Sequence, residues 1–213
     1  LVGSEMCIRD RYYFIAVGAV VLLMFFVMLI MQLKNSRKVF ALSIKDSLSG
    51  LFNRRYIFDY LDRIVDSTAE REGDLAVLLF DIDDFKAVND QHGHPVGDDV
   101  LCQVASITQT TLRTGDVVGR VGGEEFLCIL PRADVKQAKQ IAQRLKDNIS
   151  NAIFNNAKQQ PLHITVSVGI SVYSNTAPDR ASLYVQSDKA LYQAKTQGKN
   201  KVVIFNESQT SNS

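Results

Sequence analysis

Two short acidic stretches carry the residues of this chain best suited to chemistry. One is Gly122-Gly123-Glu124-Glu125-Phe126 and the other is Asp81-Ile82-Asp83-Asp84. Adjacent carboxylates at a tight turn repel each other, so a merely solvated acidic turn costs a little and gains nothing evident. Carboxylates from both stretches, brought to one place, need a cation between them. Hard oxygen donors without His or Cys point to Mg²⁺ or Mn²⁺ rather than zinc. Magnesium usually takes a nucleotide's phosphates as its remaining ligands, which makes phosphoryl or nucleotidyl transfer the leading reaction class.

The elements that must position these residues follow from apolar patterning. Val117–Val121 and Phe126–Leu130 read as strands, and the Gly-Gly step between them signals a hairpin whose glycines tolerate positive φ. Leu75–Phe80 is a continuous apolar run, the pattern of a central strand covered on both faces, and it ends abruptly at Asp81. Helical spacing is read at Ile57, Tyr60, Leu61, Ile64 and Val65, and again around Phe85–Asn89, where Gly93-His94-Pro95-Val96-Gly97-Asp98 is expected to break the helix. Further helices carry Val100, Leu101, Val104, Ile107 and Leu112, then Val135, Ala138, Ile141, Ala142, Leu145 and Ile149. Leu162–Val172 reads as a strand, Ser182–Gln197 as a helix stopped by Gly198, and Lys201–Phe205 as a last strand.

Strand, helix, strand, strand, helix, strand is the order of an α+β ferredoxin-like (βαββαβ) core, here with an extra C-terminal helix and strand. In that topology the first two strands run parallel through a right-handed crossover, and the third lies antiparallel between them. The hairpin turn then sits beside the C-terminal end of the first strand, which sets Glu124 and Glu125 next to Asp81.

Composition bounds the rest. Lys and Arg total 24 against 23 Asp and Glu, so no global field favours nucleic acid and anionic ligands must be held by local placement. Cys7, Cys102 and Cys128 show no metal-type spacing; the last two fall in apolar stretches, where packing is the ordinary use. Tyr12–Met31 is apolar and uncharged, long enough to cross a bilayer core of roughly 30 Å at about 1.5 Å per residue. It is long for a signal peptide and lacks a clear cleavage site. Lys34, Arg37 and Lys38 follow at once, which by the positive-inside rule puts the C-terminal part in the cytoplasm. The chain is therefore expected to hold a single-pass transmembrane helix over 12–33, a linker helix over 34–45, a main domain over 46–206 and a disordered tail over 207–213. Residues 1–11 are read as residual or non-native, because Met6-Cys7-Ile8-Arg9-Asp10-Arg11 resembles the translated end of a sequencing adaptor.

Residues 46–205 resemble a GGDEF domain, the catalytic domain of diguanylate cyclases, in the Gly-Gly-Glu-Glu-Phe variant. The other blocks of that family stand in order. They are Asp46–Arg55 (with Ser49 where Thr is usual), Phe80–Asp90, Gly93-His94 with Gly97-Asp98, Ser167–Ile170, and Asp188–Lys195 followed by Gly198-Lys199-Asn200. The resemblance implies that two GTP molecules, one on each of two facing domains, are joined to cyclic di-GMP with release of two pyrophosphates. It implies a homodimer and Mg²⁺ or Mn²⁺ as cofactor; the apolar segment ahead of the domain is what puts it on the cytoplasmic membrane.

By the same resemblance, Asp81, the Ile82 carbonyl, Glu124 and Glu125 hold metal. Glu124 helps deprotonate the 3′-hydroxyl, its division of labour with Glu125 being left open. Asn89 and Asp98 read guanine, and His94 lies along the pocket. Lys86, Lys195 and Lys199 contact phosphate or stabilise developing charge, with Lys199 where Arg is frequent, so that bidentate binding is lost. Asp83 is given no definite role, and Asp84 is read as a solvated loop residue. Arg113-Thr114-Gly115-Asp116 matches the family's RxxD product-inhibition site, with Arg144 as a second grip. A silent domain that only binds GTP or cyclic di-GMP is the alternative, and a ferredoxin-like scaffold leaves the acidic clusters without a purpose.

Overall fold

A computed structural model describes Tyr12 and residues 14–31, 44–71, 74–155, 160–173 and 177–206. The chain divides into two units, Leu1–Ser43 and Ile44–Ser213. In the first, helix α1 (Phe14–Met31) is long and apolar enough to cross a membrane, and its large side chains are exposed along its whole length. Of the expected linker helix only Ile44 and Lys45 are described. Neither is helical, since Lys45 forms an antiparallel bridge to Phe52. The expected tail lies outside the described residues.

The second unit contains β1 (Phe52–Asn53), α2 (Arg54–Arg71), β2 (Leu75–Ile82), α3 (Phe85–His92), α4 (His94–Thr111), β3 (Val117–Arg120) and β4 (Glu125–Pro131). After these come α5 (Val135–Ser150), β5 (Phe154–Asn155), β6 (Pro161–Leu162), β7 (Val166–Val172), α6 (Arg180–Thr196) and β8 (Val202–Ile204). The main sheet has the order β1-β3-β4-β2-β7-β8. β4 is antiparallel to both β3 and β2, so β2 and β3 run parallel with β4 between them, as the ferredoxin-like reading requires.

All eight residues of β2 are buried because helices cover both faces of the sheet. Ala76, Leu78, Phe80 and Ile82 pack with Val100, Val104 and Leu145 of α4 and α5, while Leu75, Val77 and Leu79 pack with Ile57, Leu61 and Leu183 of α2 and α6. β4 alternates in the same way, with Phe126 and Cys128 on one side and Leu127 and Ile129 on the other. Phe80 and Phe126 stack at 5.0 Å directly beneath the acidic strand ends, which makes a rigid floor for them. Cys128 is fully buried, as packing predicts.

Local chemistry explains where the structure departs from the pattern. The break expected at Gly93–Asp98 is confined to Gly93 (φ 85°), and His94–Asp98 open α4 with Pro95 in its first turn, where the missing N–H costs nothing. The strand expected over Leu162–Val172 is split into β6 and β7. Residues between them turn toward Asp83, whose N–H donates to the Thr165 carbonyl at 2.9 Å. β1, which extends the sheet by pairing in parallel with β3, and the β5–β6 ladder are too short to show a period.

Candidate active site

The acidic ends of β2 and β4 meet. Asp81 is the register partner of Glu125, and the Ile82 N–H donates to the Glu124 carbonyl at 3.3 Å. The turn before β4 is closed by the N–H groups of Val121 and Gly122, which both donate to the Glu125 carbonyl. Neither Gly122 nor Gly123 has positive φ, so the conformational reason expected for this pair is not the one that operates. Gly122 leaves room for the Glu125 carboxylate folded back over it, which a Cβ there would push aside. Around Gly123 a Cβ would meet nothing, so the exposed side of the turn is open.

Arg120 fixes this turn from the sheet side. Its Nε and Nη2 donate to the Gly123 carbonyl (3.2 and 2.6 Å), and Nη1 reaches the Asp46 carboxylate at 3.2 Å. Asp46 organises the turn that precedes β1 by accepting from the N–H and hydroxyl of Ser49. Ser at this position therefore keeps the hydroxyl bond that Thr would make. Arg54, opening α2, donates to the Val121 carbonyl at 2.8 Å.

The charge at this sheet end is unbalanced. Burial pushes the Asp81 carboxyl up to about 6; Lys195 opposes this through its hydrogen bond and charge, and Glu124 and Glu125 add to it. Glu124 is raised in the same sense, first by burial and then by Glu125, with Lys195 again opposing. The cation at Asp81 is the Lys195 ammonium, 3.0 Å from Oδ1, projecting from the last turn of α6. Gly169 of β7 allows α6 to lie against the sheet, since a Cβ there would collide with the backbone of Ser187 and Leu191.

Among the described residues no three carboxylate, imidazole or thiol groups already surround one point. The expectation of three carboxylates gathered round an ion is met by the backbone and not by the side chains, because Glu125 folds over Gly122 and Lys195 takes Asp81. The donor set still fits a hard divalent cation. It is all oxygen, it carries more negative charge than one ammonium balances, and burial makes that excess costly.

The remaining predicted residues border this end. Lys86 is exposed on the first turn of α3, and Asn89, one turn on, packs against Gly97, where a Cβ would strike its side-chain oxygen. That close approach of α3 and α4 brings Asn89 beside Asp98, which is exposed, as is His94 at the start of α4. Lys199 does not stand alone. It pairs with Asp84 at 2.5 Å, so Asp84 is exposed but has a charged partner.

Asp83 proves to be a junction. Its buried carboxylate accepts from Thr165 Oγ1 (2.7 Å), Ser167 Oγ (2.7 Å) and the Asn200 N–H (3.0 Å), tying the loop after α6 to the end of β2. Sequence reasoning gave Asp83 no definite role and passed over Arg120. The only local signal for Arg120 was a charged residue two places before the glycine pair.

Arg113, Asp116 and Arg144 lie elsewhere, at the opposite end of the β3–β4 hairpin. Arg113 Nε donates to Asp116 at 3.0 Å, and Nη2 to the Pro131 carbonyl at 2.9 Å. Arg144 Nη2 donates to the Thr111 carbonyl at 2.7 Å, so both guanidiniums gather where α4 ends.

A sheet with acidic strand ends, flanked by lysines from helix ends, defines a nucleotidyl-cyclase-like domain. Residues 43–201 match the family described as diguanylate cyclase, GGDEF domain, and the chain belongs to that family. It is 39% identical over 161 residues to the probable diguanylate cyclase DgcT of Escherichia coli K12, covering 75% of this chain and 35% of DgcT. The chain thus spans about a third of the length of the curated relatives it matches. The GGDEF domain of DgcB from Caulobacter crescentus, solved in complex with c-di-GMP, aligns with TM-score 0.72 at 30% identity, over 76% of this chain and 95% of that one. The active GGEEF domain of a diguanylate cyclase from Vibrio cholerae aligns with TM-score 0.68 at 33% identity, over 73% and 97%.

Proposed function

We propose that this chain is a membrane-anchored diguanylate cyclase that condenses two GTP into cyclic di-GMP and two pyrophosphates. The observation that carries the reading is the pairing of Asp81 with Glu125, and of Ile82 with Glu124, at a sheet end where one buried and two half-buried carboxylates share the charge of Lys195. Asp81, the Ile82 carbonyl, Glu124 and Glu125 would hold Mg²⁺ or Mn²⁺, which supplies neutralisation of the triphosphate's charge.

The chain's own residues do the positioning. Asn89 and Asp98 hold the guanine edge, with His94 alongside. Lys86, Lys195 and Lys199 hold phosphate oxygens, which requires Lys195 to leave Asp81 and Lys199 to leave Asp84 as the nucleotide enters. The 3′-oxygen of one GTP attacks the α-phosphorus of the other in line. Its proton passes to Glu124, the bond to the β-phosphate's bridging oxygen breaks, and pyrophosphate leaves. A second such transfer closes the ring. Each domain holds half the reactants, so two copies must face each other. The helix α1, followed by Lys34, Arg37 and Lys38, supports a single span with the domain on the cytoplasmic side. Arg113, Asp116 and Arg144 form the product-inhibition site.

The test is to incubate the full chain in detergent micelles with GTP and Mg²⁺ and follow products by chromatography. Cyclic di-GMP from the wild type and none from Glu124→Ala is the expected result. GTP binding without product from the wild type would leave a silent nucleotide-binding module instead.

A further inference from the structure

Beside Arg113 and Asp116 lies a cavity of about 190 Å³, lined also by Lys45, Phe52, Gln109 and Val118. It is smaller than the roughly 300–1,000 Å³ of a pocket that encloses a drug-sized ligand, and it suits one planar base with the rest of the ligand outside. Its charged lining is two cations, Lys45 and Arg113, and one carboxylate, Asp116. Asp116's side chain is only 1% exposed, whereas Arg113 is 43% exposed and Lys45 lies at the surface. The acceptor is therefore deep and the cations are at the rim.

Lys45 is held in place rather than loosely attached. Its ammonium lies 3.7 Å from the centre of the Phe52 ring, which stacks in turn on Tyr56 at 4.3 Å. The ring's electron-rich face attracts the cation. The backbone adds to this, through the Lys45–Phe52 bridge and the Asn53 N–H donating to the Ile44 carbonyl at 3.0 Å. A fixed rim cation, a deep carboxylate and an amide from Gln109 match a purine carrying a phosphodiester. The base edge meets Gln109 and the Arg113–Asp116 pair, and the phosphate meets Lys45.

We propose that Lys45, seated on Phe52, is a phosphate-binding residue of the cyclic dinucleotide site whose base-gripping pair is Arg113 and Asp116. This rests on the reading of that pair as the product-inhibition site. The ligand is a guanine-bearing cyclic dinucleotide, and the probe is cyclic di-GMP itself, titrated by equilibrium dialysis into the full chain in detergent micelles. Losing one charge-assisted contact should weaken binding by Lys45→Gln about tenfold, and Lys45→Arg should stay within about threefold of wild type.

A readout without any variant comes from amine acylation of the wild-type chain, located by mass spectrometry. Saturating cyclic di-GMP should slow acylation at Lys45 several-fold, and equal reactivity with and without it overturns the proposal. Wild-type affinity in Lys45→Gln, alongside lost binding in Arg113→Ala, removes Lys45 and leaves the base-gripping pair standing. No binding by the wild type removes both.

Discussion

The two ends of the β3–β4 hairpin hold their charges in opposite ways. At the Arg113 end the guanidinium is answered by the Asp116 carboxylate and two main-chain carbonyls, so the group is satisfied as it stands. At the Glu124–Glu125 end, three carboxylates share the charge of Lys195, and burial lifts Asp81 far above its ordinary value of 3.8. The first end can persist without a ligand and must open to accept one. The second is electrostatically incomplete, and a cation with its nucleotide would complete it. The contrast separates a self-satisfied charge cluster from an incomplete one on one piece of backbone.

The largest break in that comparison should come at the incomplete end. Removing a group that binds charge in the transition state typically costs a hundredfold to a thousandfold, so Asp81→Ala should lower cyclic di-GMP formation by roughly that factor or more. Initial rates at saturating GTP check this.

Gly122→Ala and Gly123→Ala sharpen the picture within the signature itself. Gly122→Ala must displace the flexible Glu125 carboxylate and crowd its Cβ, at a cost of about 1 kcal/mol, whereas Gly123→Ala, in open space, should stay within about 0.5 kcal/mol. Urea denaturation of both variants measures the difference, and equal losses would contradict the spatial explanation.

At the satisfied end, Arg113→Ala should raise the inhibition constant for cyclic di-GMP by about tenfold or more, read from rate against added product. Inhibition as strong as in the wild type would count against the site.

The smallest effect concerns Asp46, which links the turn before β1 to Arg120. Burial raises its pKa, but the bonds from Ser49 and the Arg120 contact outweigh this and the net shift is downward. The stability it contributes is therefore present above its ordinary value of 3.8 and lost as pH falls through the lower folded value. Asp46→Asn should cost about 1 kcal/mol at neutral pH, since the group is only partly buried and Asn keeps an acceptor for Ser49. That cost should shrink in melts near pH 3.

Much of this was legible in the residues. The β2 run, ending in Asp81, dictates a central strand by its apolar length alone, and βαββαβ order then fixes which turn lies beside it. The meeting of Asp81 and Glu125 was thus a topological consequence. What escaped was set by long-range partners. Nothing local in α6 announces that Lys195 will pair with Asp81, and nothing near Asp83 predicts Ser167 and Asn200 as its donors. The glycine pair was read correctly as a turn but for the wrong reason, because Gly-Gly speaks of conformational freedom whereas neither glycine has positive φ and Gly122 gives the Glu125 carboxylate room to fold back. Two-residue strands such as β1 fall below the length at which alternation exists.

The proposed function requires that acidic side chains from β2 and β4 hold a divalent cation together with a guanosine triphosphate. Electron paramagnetic resonance of Mn²⁺, titrated with GTP into the full chain in detergent micelles, tests this most directly. A protein-bound Mn²⁺ spectrum in the wild type, lost in both Asp81→Asn and Glu124→Gln, is the predicted result. The same bound spectrum in wild type and both variants would contradict it.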